Sequence, residues 1–375
     1  MRATALNKII SSFTLLSLLM LATTHAVAAS PTLLKAKKEA EAKGYTFFAT
    51  HDEIVAMAKK EGKLRALMVV DPPTYKPLTN AFKQKYPFIT DIHLQEIQGP
   101  EAYQRLLLEI KSGQAKGWDI TFIPADFAEE YMSYLTKHDI LGMAKDGVLK
   151  IHPKMIHPVE RNTVSVTSAI SVVPYNRKLI SEDKVPAKWE DFLKPEFKGK
   201  KFVLDFRPNQ LYGLVPAWGL ERTLDFARKL AAQQPAWSSG ATRINIALAN
   251  GEYALTFNST FKAVKRAMKK DPTGSLSYKI VEPVPTRNID NASGILNMAD
   301  HPHAALLWLE FLASPEGQEI LDKYDLRASV FTPGSTAAQM TWGKELSVVD
   351  WDHFTRLGEY MEKIFAAYGF PKADK

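Results

Sequence analysis

Ile170-Ser171-Val172-Val173-Pro174-Tyr175-Asn176, followed by Val185-Pro186-Ala187-Lys188-Trp189-Glu190-Asp191-Phe192 and Pro195-Glu196-Phe197-Lys198-Gly199-Lys200, is the stretch around which the second half of the chain is arranged. The β-branched run Ile170, Val172, Val173 predicts a strand. Pro174 predicts its end at a sheet edge or crossover, and Asn176 is a turn former. Pro186 and Trp189 predict a rigid turn with an aromatic anchor before a short helical piece, closed by Gly199 at the position where a left-handed residue ends a helix. A second strand, Lys201 to Asp205, follows at once.

At 375 residues the chain exceeds the size at which a single core stops growing, so two domains are expected. Hydrophobic residues make up 46% and charged residues 24%, ordinary for a globular protein with a sizeable core. The net charge is +7, and without Arg2 and Lys8 it is +5. The basic residues are spread, with local runs only at Lys35 to Lys38 and Lys265 to Lys270. That predicts a solvated face and no nucleic-acid partner, in a field that mildly favours anions. Arg2 and Lys8 precede the apolar run Ile9 to Ala22 and the small residues Ala26-Val27-Ala28, the pattern of a cleaved export signal at residues 1–28 and too short for a confident membrane span. There is no cysteine, hence neither a disulfide framework nor a lipid-bearing cysteine after the signal. An exported, soluble, monomeric protein is expected.

Along the chain, Pro31 to Lys43 reads as an exposed helix ended by Gly44. Asp52 is expected to cap a helix over Glu53 to Glu61, and Leu64 to Val70 is a buried strand. The loop Asp71-Pro72-Pro73-Thr74-Tyr75 lies at the carboxyl end of that strand, where α/β sheets bind ligands. Thr74 and Tyr75 are therefore either site residues or parts of a proline-stiffened turn. Strands over Ile92 to Ile97 and Trp118 to Ile123 flank a helix at Ala102 to Lys111. Asp126, in Pro124-Ala125-Asp126, occupies the second such loop, ahead of a helix to Leu135. Residues 136–168 show little periodicity. Arg207 and Asn209, between the strand ending at Asp205 and a helical stretch over Gln210 to Trp218, could clamp an anion beside free helix amides, or Arg207 could simply pair with Asp205. Ser239, in Ser238-Ser239-Gly240, could cap the helix it opens or bind a solute, with capping the plainer role.

The phrases Val185-Pro186 with Trp189 and Asp191, and Pro195 with Phe197-Lys198-Gly199-Lys200, resemble the family 1 extracellular solute-binding proteins of ABC importers, in the branch labelled ferric-iron binding. Glu61-Gly62-Lys63-Leu64, Ala81-Phe82 with Tyr86-Pro87, Trp118-Asp119-Ile120, Gly251-Glu252-Tyr253-Ala254 and Ser314-Pro315-Glu316-Gly317 extend the resemblance. It implies an α/β fold of the two-lobe periplasmic-binding-protein type II: two α/β domains joined by a two-strand hinge. The expected lobes are residues 29–170, 171–288, and a return at 289–375 whose C-terminal helices pack on the first lobe. It also implies a periplasmic location, a small-molecule solute held between the lobes, hinge strands near Val172 and Ile295, and an ABC permease as partner.

The resemblance breaks at the solute. In the tyrosine-type iron binders, two adjacent tyrosines follow the Gly-Glu-Tyr-Ala strand, whereas this chain has Asn258-Ser259-Thr260-Phe261, and the first loop lacks the family's histidine. Ferric iron prefers anionic oxygen donors, and Asn258, Ser259 and Thr260 offer neutral hydrogen-bonding groups. A small carboxylate or phosphonate held by Arg207 and hydroxyls is the preferred solute. Iron, alone or as a chelate, remains the alternative, and a phenolate from Tyr75 or Tyr212 would colour it. His301 and His303, two apart at a helix start, share no face and predict no metal site. No cofactor is expected. No catalytic motif is present, so an enzyme on the same fold is the remaining alternative class.

Overall fold

The computed structural model describes residues 30–370. The expected export signal lies outside them. Among the described residues no helix is long and apolar enough to cross a membrane.

Two sheets organise the chain. Strands β1 (Lys63–Met68), β2 (Asp91–Glu96) and β3 (Ile120–Ile123) run parallel in the order β2-β1-β3, with helices between them, as strands alternating with 11- and 12-residue amphipathic helices must. β1 buries Leu64 and Ala66 completely, and the edge strand β2 alternates half-buried and exposed residues. β4 (Thr163–Ser165) closes the far side, where the weak periodicity of residues 136–168 had suggested irregular chain. Three residues are too few for a visible alternation.

β5 (Ala169–Asn176) is the spine of the second sheet. It runs straight through Pro174, which corrects the expected stop. A residue's N–H and C=O point to the same edge of a strand, and the Pro174 carbonyl accepts from the Thr256 amide at 3.1 Å. The missing donor therefore falls on that edge, while the ladder to β9 (Leu276–Lys279) on the other stays intact. β6 (Val203–Asp205) and β7 (Ala236–Ser238) form a short parallel pair, tied to β5 through residues 254–257. β8 (Ser259–Thr260) pairs with β5 at Ser171 and Val172. β10 (Val284–Arg287) pairs with β5 and leads to β11 (Ala292–Ile295), which inserts antiparallel between β3 and β4 in the first sheet. A Cβ on Gly294 would stand 2.5 Å from Leu135 Cδ1, so the inserted strand needs a glycine there.

The polypeptide thus passes between sheets at residues 166–168 and 288–291, and these segments hold each other: Asp290 N–H donates to Thr167 O at 3.2 Å and Ser168 Oγ to Asn288 O at 3.1 Å. A third passage ends in β12 (Leu346–Val349), parallel to β10. The C-terminal segment therefore spans both units: β12 joins the second sheet and helix Leu357–Ala367 packs chiefly on helix Leu220–Ala232, whereas Trp351 packs on His157 of the first unit and donates from its indole to Lys154 O at 3.3 Å. Its packing is thus shared between the units, where the sequence suggests the first lobe alone. Two apolar stretches of similar hydropathy carry no label for the surface they will cover. Smaller corrections are local. Thr50, not Asp52, caps helix His51–Glu61. The expected helices at 127–135 and 210–218 break into 3-10 turns with four- and five-residue helices.

Trp189 is fully buried, packs on Phe257 and donates from its indole to Pro283 O at 2.9 Å, so the anchor expected from the sequence fixes the second core. Trp189→Ala should lower the unfolding free energy by about 3–5 kcal/mol in urea titration, and a loss below about 1 kcal/mol would contradict that role. In the first unit, burial holds the His138 imidazole down to about 4, against an ordinary value of 6.5. The folded protein binds this proton less tightly than the unfolded chain. Stability from this group is therefore complete above pH 6.5 and lost as pH falls towards 4, by about 3 kcal/mol in total. His138→Gln should flatten that limb of a thermal melting profile against pH.

Candidate functional site

The two sheets face each other across a cleft, and a connected series of ion pairs runs along it. Helix Phe261–Lys270 starts where Thr260 accepts the Ala263 amide as its cap. It projects Lys262 and Arg266, one turn apart, towards the first unit. Lys262 Nζ lies 2.9 Å from Asp71 Oδ1 and 2.7 Å from Asp325 Oδ1, and Arg266 also pairs with Asp71. Asp71 follows β1, and Asp325 ends the helical turn after Pro315–Ile320. Asp325 in turn meets Arg327 at 2.7 Å, Arg327 meets Asp290 at 2.8 Å, and Asp290 meets Arg287 at 2.9 Å. Arg287 ends β10 and donates to the Tyr212 hydroxyl at 3.0 Å, which returns the series to the second unit. Arg327 also donates to Val69 O at 3.0 Å.

Asp290 and Asp325 are almost wholly buried. Burial works against both charges of each pair, and the geometry outweighs it. Arg287 stays above the ordinary arginine value through Asp290 and the Tyr212 hydroxyl, Arg327 does so through Asp290 and Asp325, and Asp290 is held below the usual carboxylate range by the two guanidinium groups. Lys262 goes the other way: burial, and then the charge of Arg327, bring it down to about 8. Burial raises the Tyr212 phenol, opposed by Arg287.

A cavity of about 190 Å³ opens beside this series, lined by Ser171, Asp205, Arg207, Tyr212, Asn258, Ser259, Thr260 and Arg287, with Gln210 in its wall. Four of the residues named from the sequence, Arg207, Asn258, Ser259 and Thr260, meet here. Arg207 makes the expected pair with Asp205, Nε and Nη2 binding it at 3.1 and 2.7 Å, and its side chain stays nearly half exposed while lining the cavity. Asp205 also accepts the Gly240 amide at 3.0 Å, and neither Ser238 nor Ser239 caps the helix Ala241–Ala249. Ser239 is half-buried beside that helix start and does not line the cavity. Asn258 donates to Gln210 O at 2.8 Å and Gln210 donates back to Asn258 O, so Asn258 shapes the wall. Ser259 Oγ accepts from Asn245 at 3.0 Å, which leaves its hydrogen to donate. Asn209 stands in the 3-10 turn Pro208–Gln210.

Thr74, Tyr75 and Asp126 do not line this cavity. Thr74 is fully buried with its hydroxyl unpartnered, and the Tyr75 hydroxyl is likewise buried without a partner; burial raises its pKa. The prolines of this loop set up a 3-10 turn at Pro72–Thr74, and its contribution to the cleft is Asp71. Asp126 sits in the turn Ala125–Phe127, its carboxyl raised by burial, and its charge reaches the Tyr212 hydroxyl across the cleft. Sequence reasoning missed Lys262, Arg266, Arg287, Asp290, Asp325 and Arg327. The available signal was the Lys262/Arg266 spacing directly after the Asn-Ser-Thr loop, obscured by the basic run that continues to Lys270. His301 pairs with Asp119 and His303 with Glu61. Among the described residues no three His, Asp or Glu side chains cluster as a metal site.

A family model described as bacterial extracellular solute-binding protein matches residues 77–345, and the chain belongs to this family, the binding components of ABC importers that work outside the cytoplasmic membrane. Among solved structures the chain is similar to iron-bound HitA from Pseudomonas aeruginosa (14% identity, TM-score 0.62, 82% of this chain and 99% of that one). It is also similar to apo ferric ion-binding protein A from Pasteurella haemolytica (16%, 0.63, 84% and 100%) and to the Atu4243-GABA receptor (14%, 0.62, 83% and 99%). At these identities the likeness is one of fold, the two-lobe type II architecture. No curated protein sequence matches.

Asp325→Asn removes one partner from a fully buried double pair and should cost about 3–5 kcal/mol, read as a lower urea midpoint at unchanged slope. A variant as stable as the parent would mean that the pairs contribute no net stability.

Proposed function

We propose that this protein is a periplasmic, monomeric solute-binding protein that holds a small organic anion between its lobes and presents it to an ABC permease. The observation that carries the reading is the cavity between Arg207 and Arg287, surrounded by the hydroxyls of Ser171, Tyr212, Ser259 and Thr260. Both guanidinium groups keep donors beyond those given to Asp205, Asp290 and Tyr212, and a carboxylate or phosphonate oxygen matches them. A volume of about 190 Å³ accommodates on the order of ten water-sized groups, so the solute is small. Asp126 stands in the turn Ala125–Phe127 of the first unit, outside the cavity lining, and closure of the lobes would bring that wall onto the solute.

The same pairs argue against catalysis. Asp205, the carboxylate on the cavity wall, is held by Arg207, and Asp290, outside this lining, is held by Arg287 and Arg327, so neither is a free general base facing the cavity. Iron is the second reading, carried by several fold neighbours' names, and the presence of Tyr212 and Asp205 in the lining of one cavity is the observation that favours it. Burial keeps the Tyr212 phenol protonated, and Arg287 occupies its oxygen, so a metal would have to displace both a proton and a guanidinium.

A thermal-shift screen separates the two. Carboxylates, phosphonates and sugar phosphates are compared with ferric iron, with and without citrate or carbonate. A true solute at a hundredfold excess over its Kd stabilises by about 2.7 kcal/mol. A shift with an anion and none with iron is expected. A shift with iron alone, with a visible charge-transfer band, would overturn the reading. Arg207→Ala should weaken the anion by about 1.5–3 kcal/mol in calorimetric titration, and unchanged affinity would remove Arg207 from the site.

A further inference from the structure

Arg287 lines a second, smaller cavity as well. This one has a volume of about 70 Å³ and is walled by Ser168, Thr260, Lys262, Asp290, Asp322 and Arg327 among others. Thr260 and Arg287 line both cavities, so the two are neighbours with only these two residues common to their walls. The charges on either side of Arg287 differ. On the wide side, Arg207 and Arg287 face one carboxylate, Asp205. On the narrow side, each wall cation already has a carboxylate: Lys262 has Asp71 and Asp325, Arg327 has Asp325 and Asp290. With Arg266 and Arg287 included, the four cations of the narrow side (Lys262, Arg266, Arg287 and Arg327) stand against four carboxylates (Asp71, Asp290, Asp322 and Asp325), and every one of these carboxylates except Asp322 is in a direct ion pair.

Asp322 is the carboxylate left over. No cation among the described residues pairs with it. Its Oδ2 accepts from the amide and hydroxyl of Thr336 at 2.9 and 3.0 Å, which fixes the carboxylate at the start of helix Thr336–Thr341, and its Oδ1 takes no donor from the described residues. A fixed carboxylate oxygen without a cation partner, on the wall of a small cavity that Ser168 and Thr260 also line, suits a compact cation with several N–H donors. An ammonium group has this shape, and its attraction to Asp322 is strengthened by partial burial.

Resting on the reading of the wide cavity as an anion site, we infer that the solute is a zwitterion: its acidic group binds between Arg207 and Arg287, and its amine binds at Asp322 in the narrow cavity. A solute of this kind adds no net charge to a cleft whose ten charged groups already balance. A dianion would set its second acid against Asp290 and Asp322. A simple monoanion would leave Asp322 without a partner.

The test is calorimetric titration of the mature protein with straight-chain ω-amino acids (β-alanine, γ-aminobutyrate, δ-aminovalerate), each paired with the monocarboxylate and the dicarboxylate of matching length. At least one amino acid should bind about tenfold or more tightly than its amine-free partner, the worth of a charged hydrogen bond. Asp322→Asn, which keeps an oxygen to cap Thr336, should lower affinity for that amino acid about tenfold and bring the ratio to the monocarboxylate close to one. Monocarboxylate binding as tight as that of the amino acid, or a diacid binding tighter, overturns the inference while sparing the anion site. Equal weakening of both partners by Asp322→Asn also overturns it. Should the variant not fold, the wild-type series alone decides. Binding of ferric iron with no organic anion bound at all would remove the underlying reading instead.

Discussion

Asp290 governs the centre of this molecule. It lies in the passage from β10 to β11, nearly without solvent, and holds Arg287 from one sheet and Arg327 from the other unit at 2.9 and 2.8 Å. A carboxylate there could not stay charged without both cations, and neither arginine could stay without it. The same triad fixes the crossover backbone and delivers Arg287 into the cavity. One set of charges therefore sets the geometry of the joint and the chemistry of the site. The series extends through Asp325 to Lys262 and Asp71, so the facing walls of the cleft are joined by their own charges.

The fold was legible because its signals are local. A β-branched run, a buried tryptophan in a proline-framed turn, and strands alternating with amphipathic helices each announce themselves within a dozen residues. Half of the cavity was legible for the same reason: Arg207, Asn258, Ser259 and Thr260 follow strands directly. The cross-cleft charges were not, because Lys262 and Asp71 are 191 residues apart and Asp325 and Asp290 acquire meaning only from what folds against them. Lys262 reads as one more residue of a basic helix, and only its 11% exposure sets it apart. The placement of residues 342–368 was illegible on similar grounds, since a strand of four residues and an apolar helix fit either unit.

Membership of the family fixes what the protein does in outline, while the cavity decides what it carries. Fold neighbours at 14–16% identity bear names of iron-binding and GABA-binding proteins alike, so the two-lobe frame tolerates unrelated solutes. Here the loop after the 254–257 segment supplies hydroxyls and an amide, and the amide is spent on the wall. Specificity then rests with groups on rigid supports: the end of β10, the strand-to-helix turn after β6, and the start of helix Phe261–Lys270.

The position of β11 has a consequence for how the chain matures. This strand sits between β3 and β4, yet it is made some 130 residues after β4, and β12 completes the second sheet later still. The first sheet thus has a vacant slot until nearly three hundred residues are available, and no cut in the chain yields a self-sufficient half. Pairings of such long sequence separation form slowly. A nascent chain of this topology can complete neither sheet until β11 and β12 have been made, so the finished fold is reserved for the whole polypeptide.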